Sequence, residues 1–305
     1  MSDDARVTAE AFEELRPLLF GIAYRMLGSV AEAEDVVQEA YVRYARALAD
    51  GTTVESPRAY LSAVTTRLAI DTLTSARARR ETYVGEWLPE PLVDDDPAGH
   101  AEQADSLSMA FLLLLERLSP VERAVFLLHD VFGYAFDEVA DIVGKTPANC
   151  RQLAARARRH VAEGRPRFDP PERGREAARR FVAAMLDGDV DGLLALLGED
   201  VVVTGDSGGG SPSWPRPIVG RDKVARLFAG LGRQAVDARL TMRVTTVNGQ
   251  PGAIATDADG RVVTVLTFEV ADGAVHGVKS LINPRKLAHL GAVADVRELW
   301  RQRRR

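Results

Sequence analysis

Between Lys145 and Arg167, seven cations (Lys145, Arg151, Arg156, Arg158, Arg159, Arg165 and Arg167) stand against one acid, Glu163. Guanidinium groups at that density pair with phosphates. An arginine beside carboxamides, as in Asn149, Arg151 and Gln152, can also hydrogen-bond the edges of bases. Covalent chemistry is less well provided for. Cys150 is the one cysteine, so neither an internal disulfide nor a cysteine zinc site can form, which fits a reducing compartment. Placed among these cations, it reads as a small packing residue.

The elements that must position this stripe are legible just upstream, over Phe136 to Leu153. Small Ala140 lets two helices approach, and Gly144 permits a left-handed turn. Thr146 caps a second helix that has Pro147 at its first position. This is the grammar of a helix-turn-helix. In a major groove, Thr146, Pro147, Ala148, Asn149, Arg151 and Gln152 would lie near base edges, with Arg156, Arg158 and Arg159 near phosphates. The plainer alternative is a helical hairpin with a solvated charged face.

The whole chain hides this local charge. Its 305 residues carry 39 Lys and Arg against 44 Asp and Glu, a net charge of -5 that by itself argues against a nucleic-acid partner. By segment the balance is -3 over 1–85, -7 over 86–106, +2 over 107–168 and +3 over 169–305. The stretch 86–106 has no Lys or Arg and contains Pro89, Pro91, Pro97 and Gly99, so it reads as an acidic linker. A second linker is expected from Pro166 to Gly174. No apolar run is long enough to span a bilayer, and Met1 to Arg6 lacks a signal-peptide profile, so a cytoplasmic protein is expected.

Helical periodicity dominates the first half. Phe12, Leu15, Leu18, Leu19, Ile22 and Met26 form one apolar stripe, and Val36, Val37, Ala40, Tyr41 and Tyr44 another beyond Gly28-Ser29. A third helix is expected from Ser56-Pro57 to about Arg80, a further one from Leu107 to Leu118, and the capping box Ser119-Pro120-Val121-Glu122 starts the next. Beyond residue 236 the period falls to two. Leu240, Met242, Val244 and Thr246 alternate with polar residues, and Val262 to Val270 and Val275 to Ile282 are β-rich. Helices at 174–187, 190–197 and 221–231 on a curved antiparallel sheet give an α+β domain over 174–305.

Together these blocks resemble a bacterial extracytoplasmic-function sigma factor over residues 8–165. Region 2 falls within 1–85 and region 4 within 107–168, both all-α. The carrying motifs are Ala33-Glu34-Asp35-Val36-Val37-Gln38-Glu39-Ala40-Tyr41, Ser56-Pro57-Arg58-Ala59-Tyr60-Leu61, Thr66-Arg67-Leu68-Ala69-Ile70-Asp71, and Leu118-Ser119-Pro120 through Arg156-Ala157-Arg158-Arg159. The resemblance implies that Asp35, Gln38, Glu39 and Arg43 grip core RNA polymerase. Arg67, Asp71, Arg77, Arg79 and Arg80 would meet the −10 element of promoter DNA, and the helix-turn-helix the −35 element. Ala135 departs from the family's Ser or Thr and should weaken one helix cap by about 1 kcal/mol.

The extension after region 4 resembles a SnoaL-like, cone-shaped domain. Three motifs point to sigma factors that carry it: Trp87-Leu88-Pro89-Glu90-Pro91-Leu92, the glycine-rich stretch at Asp206, and Asn283-Pro284-Arg285-Lys286-Leu287. Relatives read Asp-Gly-Gly-Gly-Lys at the second. Here Asp206-Ser207-Gly208-Gly209-Gly210-Ser211 has an inserted Ser and no Lys, which puts that lysine's contact in doubt. Asp206, Trp214, His276 and Lys279 are the candidates near the cone's mouth. An isomerase would need a carboxylate base and an oxyanion donor such as Tyr, and no Tyr follows Tyr134. No catalysis, cofactor or metal is expected. Instead Trp87, Leu88, Pro89, Asp206, Asn283, Pro284, Lys286 and Leu287 are expected to make regulatory contacts, with the extension docked inside the molecule and a small ligand in the cone left open. A solvated spacer is the plainer reading of the linker. The alternatives for the whole chain are a ligand-responsive regulator that never joins polymerase, or a DNA-tethered isomerase or hydrolase. The free protein is expected to bind promoter DNA poorly, because the acidic linker repels phosphates within about 8 Å.

Overall fold

A computed structural model describes residues 3–81, 83–94, 104–162, 168–209, 214 and 216–302. The chain divides into two compact units. Met1–Glu81 with Phe111–Arg165 forms one, and Thr82–Ala110 with Pro166–Arg305 forms the other.

The first unit opens with α1 (Asp3–Leu27), α2 (Val30–Ala49) and α3 (Pro57–Glu81). Gly28 separates α1 from α2 at φ 66°, and Ser29 caps α2 by accepting the Glu32 N–H at 3.2 Å. Leu19, Ile22 and Met26 pack with Val36, Val37, Ala40 and Tyr44 and with Leu61, Ala69 and Leu73 in a buried core, as the helical period predicts.

The chain then passes through the second unit, with β1 (Val93–Asp94) and α4 (Ala104–Leu107), before α5 (Met109–Leu115). The single helix expected over 107–118 is therefore broken at Ser108 and ends at Leu115. The Leu107 carbonyl accepts from Asn248 Nδ2 at 3.1 Å, so it is engaged by a side chain at the break. In the first unit follow α6 (Pro120–Phe126), a π-helical turn over Leu127–Val131, α7 (Phe136–Val143) and α8 (Pro147–Ala162). Both halves of the Ser119/Glu122 capping box are present, at 3.3 and 2.9 Å. Where Ala135 offers no hydroxyl, Glu138 still accepts the Ala135 N–H at 2.8 Å, so half of that cap survives.

In the second unit α9 (Pro171–Asp187) and α10 (Val190–Leu196) lead into β2 (Leu197–Asp206). Then come β3 (Ile218–Val219), α11 (Arg221–Asp237), β4 (Thr241–Val247), β5 (Gln250–Thr256), β6 (Val262–Ala271) and β7 (Ala274–Leu281). The sheet order is β1-β4-β5-β6-β7-β2-β3. It is not wholly antiparallel, because β2 runs parallel to β7, Val203 pairing with Val278. Between β2 and β7 the chain runs through β3, α11 and β4 to β6, a connection long enough for the two neighbours to lie parallel. The second expected linker is also shorter than 166–174. Pro171 starts α9, and Gly174 lies inside it, where a Cβ would come within 2.6 Å of Pro251. Phe181, Phe228 and Phe268 form the aromatic centre of the core, with ring centroids 4.9 and 5.0 Å apart.

Candidate functional site

α8 has two faces. Cys150, Ala154, Ala157 and Val161 bury one, at helical spacing, while Ala148, Asn149, Arg151, Gln152, Arg156, Arg158 and Arg159 are exposed on the other, with Pro147 partly buried at the start. Gly144 provides the left-handed turn at φ 64°, and Thr146 Oγ1 accepts the Asn149 N–H at 3.2 Å. The expected turn-and-cap grammar is therefore present. Not all of its cations are loose. Arg156 pairs with Glu122 at 2.6 Å, Arg158 with Asp130 at 2.6 Å, and the Arg151 guanidinium lies 5.4 Å from the centre of the Phe136 ring. Burial works to raise the Glu122 pKa, but hydrogen bonds from Ser119 and the charge of Arg156 bring it below the ordinary carboxyl value. Cys150 is fully buried and burial pushes its thiol pKa up, which suits packing rather than reactivity.

On α2, Asp35, Gln38 and Arg43 are exposed and Glu39 is half-buried, one polar stripe in which Glu39 and Arg43 pair at 2.8 Å. On α3, Asp71 is exposed. Arg67 is differently placed from the expected DNA contact. Its Nε donates to the Ile142 carbonyl at 2.8 Å and one terminal nitrogen to the Asp141 carbonyl at 2.7 Å. Those carbonyls end α7, where unpaired acceptors and the helix dipole favour a cation. The side chains of Arg77, Arg79 and Arg80 lie outside the described residues; their backbone belongs to α3.

Two further links join the helices of regions 2 and 4 and were not anticipated. Ser62 Oγ and the Tyr134 hydroxyl are 2.7 Å apart. Arg123, 1% exposed, donates to the carbonyls of Met26 at 2.7 Å and Leu115 at 2.6 Å and pairs with Glu116 at 2.9 Å.

The second unit gathers the motifs at 87–92, 206 and 283–287 around one carboxylate. Asp206 is fully buried. It accepts from the Tyr83 hydroxyl at 2.5 Å, the Leu88 N–H at 2.9 Å, the Gly208 N–H at 3.0 Å and Lys286 Nζ at 2.7 Å. Lys286 also donates to the Leu88 carbonyl and lies over the rings of Tyr83 and Trp87, 4.9 and 4.4 Å from their centres. Asn283 Nδ2 donates to the Tyr83 hydroxyl at 2.8 Å, and its Oδ1 accepts the Arg285 N–H to start α12 (Pro284–Leu287). Leu287 is buried behind this cluster.

Local geometry makes the clasp tight. Gly208 and Gly209 adopt φ 61° and 72°, and a Cβ on Gly208 would fall 2.5 Å from Asn283 Nδ2. The cation facing Asp206 comes from Lys286, and Gly210 and Ser211 lie outside the described residues. Downstream, Pro89 and Pro91 are buried, the Pro91 carbonyl bonds His289 Nε2 at 2.7 Å, and Leu92 exchanges two hydrogen bonds with Asn248 before β1 pairs with β4. Residues 83–94 are thus held as a strap, not a solvated spacer; the acids at 95, 96 and 102 lie outside the described residues. Tyr83 is no candidate in the sequence, where it falls at the end of the stretch 1–85 read as region 2. The signal available was an amphipathic ring four residues before Trp87. Burial, and next its bond to Asp206, push its pKa well above the ordinary phenol value.

The remaining candidates do not join this cluster. His276 is exposed against Gly198, Lys279 pairs with Glu269 at 3.4 Å, and Trp214 lines a separate cavity. Among the described residues no group of three or more metal-binding side chains occurs, and no helix is long and apolar enough to cross a membrane.

Comparison with known proteins follows the same division. Family profiles described as Sigma-70 region 2, Sigma-70 region 4 and SnoaL-like domain match residues 11–79, 108–161 and 178–278. The chain is 39% identical to the ECF RNA polymerase sigma factor SigJ of Mycobacterium tuberculosis over 90% of its own length and 91% of the relative's. It is 33% identical to the probable ECF RNA polymerase sigma factor SigI of the same species, over 96% and 98%. The crystal structure of M. tuberculosis SigJ superposes with a TM-score of 0.72 at 38% identity, covering 92% of this chain and 98% of that one. With both sigma regions and the extension matched in order, the chain belongs to the extracytoplasmic-function RNA polymerase sigma factors.

Proposed function

We propose that this protein binds core RNA polymerase through the α2 stripe, reads the −35 element with the exposed face of α8 and the −10 element with the end of α3, and is modulated in cis by its C-terminal domain, which acts as a regulator without catalysis. The observation that carries this reading is the two-faced α8. A helix that buries only small side chains on one side and presents Asn149, Arg151 and Gln152 on the other is built to enter a groove. Relatives named as RNA polymerase sigma factors over nine-tenths of the chain favour this over a regulator that never joins polymerase. Such a protein works in the cytoplasm, beside the polymerase.

The C-terminal domain holds the start of the segment that connects regions 2 and 4, so it can set how far those regions separate. In the −10 role Arg67 must exchange the carbonyls of Asp141 and Ile142 for DNA, which makes opening of the first unit part of the mechanism.

The test is initiation by reconstituted holoenzyme on a panel of −35 variants. Arg151→Ala and Gln152→Ala should change the order of preference, each lost base contact altering discrimination by about 1–3 kcal/mol. Arg158→Ala should weaken initiation on all variants without reordering them, because it reaches phosphate and loses only a half-exposed ion pair to Asp130. Unchanged preference in Arg151→Ala and Gln152→Ala would refute the placement of α8.

A further inference from the structure

Two ion pairs hold arginines of α8 by the same atom. Arg156 bonds Glu122 and Arg158 bonds Asp130, each at 2.6 Å and each through Nε, so the two terminal nitrogens of each guanidinium stay out of the pair. Arg123, buried in the same unit, is used the other way round. Its terminal nitrogens are spent on the carbonyls of Met26 and Leu115 and on Glu116, as suits an arginine that ties a fold together. A guanidinium gripped at Nε keeps its forked end, the end that pairs with a phosphate through two parallel hydrogen bonds.

The carboxylates are the fixed partners. The side chains of Glu122 and Asp130 are 11% and 22% exposed, against 53% and 47% for Arg156 and Arg158. Glu122 is anchored further, because its other oxygen accepts the Ser119 N–H at 2.9 Å. Arg156 and Arg158 are two residues apart, about 200° round the helix, so they stand on opposite flanks of the exposed face that carries Gln152. A helix in a major groove has a phosphate backbone along each flank. Resting on the reading of α8 proposed above, we infer that Glu122 and Asp130 are positioning residues for promoter binding, each holding one arginine by Nε with its terminal nitrogens turned to a backbone phosphate. An arginine ordered in advance loses less freedom on meeting DNA.

A carboxylate without this role would only repel DNA, and its removal would tighten binding. Positioning predicts the opposite sign. The test is the affinity of reconstituted holoenzyme, carrying the full-length chain, for a promoter duplex across a potassium chloride series. Asp130→Ala should weaken binding about fivefold, the order of the cost of immobilising one long side chain, and should cause no weakening once Arg158→Ala is present. Glu122→Gln, whose amide oxygen can still accept the Ser119 N–H while its nitrogen faces Arg156, should stand in the same relation to Arg156→Ala. Preference among −35 sequences should keep its order in both. A mere structural cross-link would lower the urea midpoint and leave the affinity of the assembled holoenzyme unchanged. Each acid is judged by its own cycle: unchanged or tighter binding, or a loss as large without the arginine as with it, would overturn its positioning role. Each arginine lost should also lower the salt slope by about 0.9. An unaltered slope in Arg156→Ala and Arg158→Ala would remove the phosphate contacts themselves, and with them both this inference and that part of the proposed function.

Discussion

Replacing Asp206 with alanine should release residues 83–92 from the C-terminal domain. The carboxylate satisfies four donors, and one is the ammonium of Lys286, itself 7% exposed. Stranding a buried charge costs about 3–5 kcal/mol, a large part of the 5–15 kcal/mol by which a domain is typically stable. The domain need not bear that cost globally. The strap can lift, letting water reach Lys286, and local opening is the lower-energy escape. Hydrogen exchange of the Leu88 amide, which donates to Asp206, should therefore approach that of an open chain in Asp206→Ala, while core amides of β6 and β7 stay protected. Lys286→Met should do less, because the carboxylate keeps Tyr83, Leu88 and Gly208 as donors. Wild-type protection of Leu88 in Asp206→Ala would show that the clasp does not hold the strap.

Arg123→Ala should be the most damaging change in the first unit. The guanidinium is 1% exposed and ties the end of α1, the end of α5 and Glu116 to α6. Its loss takes the side-chain donor from the Met26 carbonyl, cuts the link from α6 to the ends of α1 and α5 and leaves a void, for an expected loss of about 3–5 kcal/mol, read as a lower urea midpoint. Arg67→Ala removes two hydrogen bonds from an exposed side chain and should cost no more than about 1–2 kcal/mol. Similar midpoints for the two variants would mean that Arg123 is not the link between the helices of regions 2 and 4.

Those two arginines also show where sequence reading stops. The helix-turn-helix was legible because each of its signals is local: the period of α7 and α8, the glycine turn, the threonine cap. The capping box at Ser119 was legible for the same reason. Arg67 and Arg123 gave no such sign, since their partners at Asp141, Ile142 and Met26 lie 74, 75 and 97 residues away. A charged residue in an amphipathic helix reads as solvated until its neighbours are known.

In the second unit the three motifs stand out in the sequence, but that they meet on the Asp206 carboxylate does not. Asp206 reads as a candidate at the cone's mouth as well as a regulatory contact, whereas its oxygens are taken by Tyr83 and Leu88 of the strap together with Gly208 and Lys286. β5 was missed because Pro251, Gly252 and two alanines give it little strand character. Gly252 is there for closeness, since a Cβ would sit 2.6 Å from the Leu266 carbonyl of the adjoining strand. The acidic total that first argued against nucleic acid proved to average a +6 stripe over 145–167 with a -7 linker.

Reconstituted run-off transcription shows whether this chain programmes polymerase to start at specific promoters. Purified core polymerase would be combined with the full-length protein, or with Asp206→Ala as a strap-released form, on a pool of promoter-sized fragments from the same genome. Discrete transcripts that require the added protein and vanish when the −35 or −10 segment is scrambled are the predicted result. Absence of any promoter-dependent transcript with both proteins would mean that the chain does not direct polymerase to promoters.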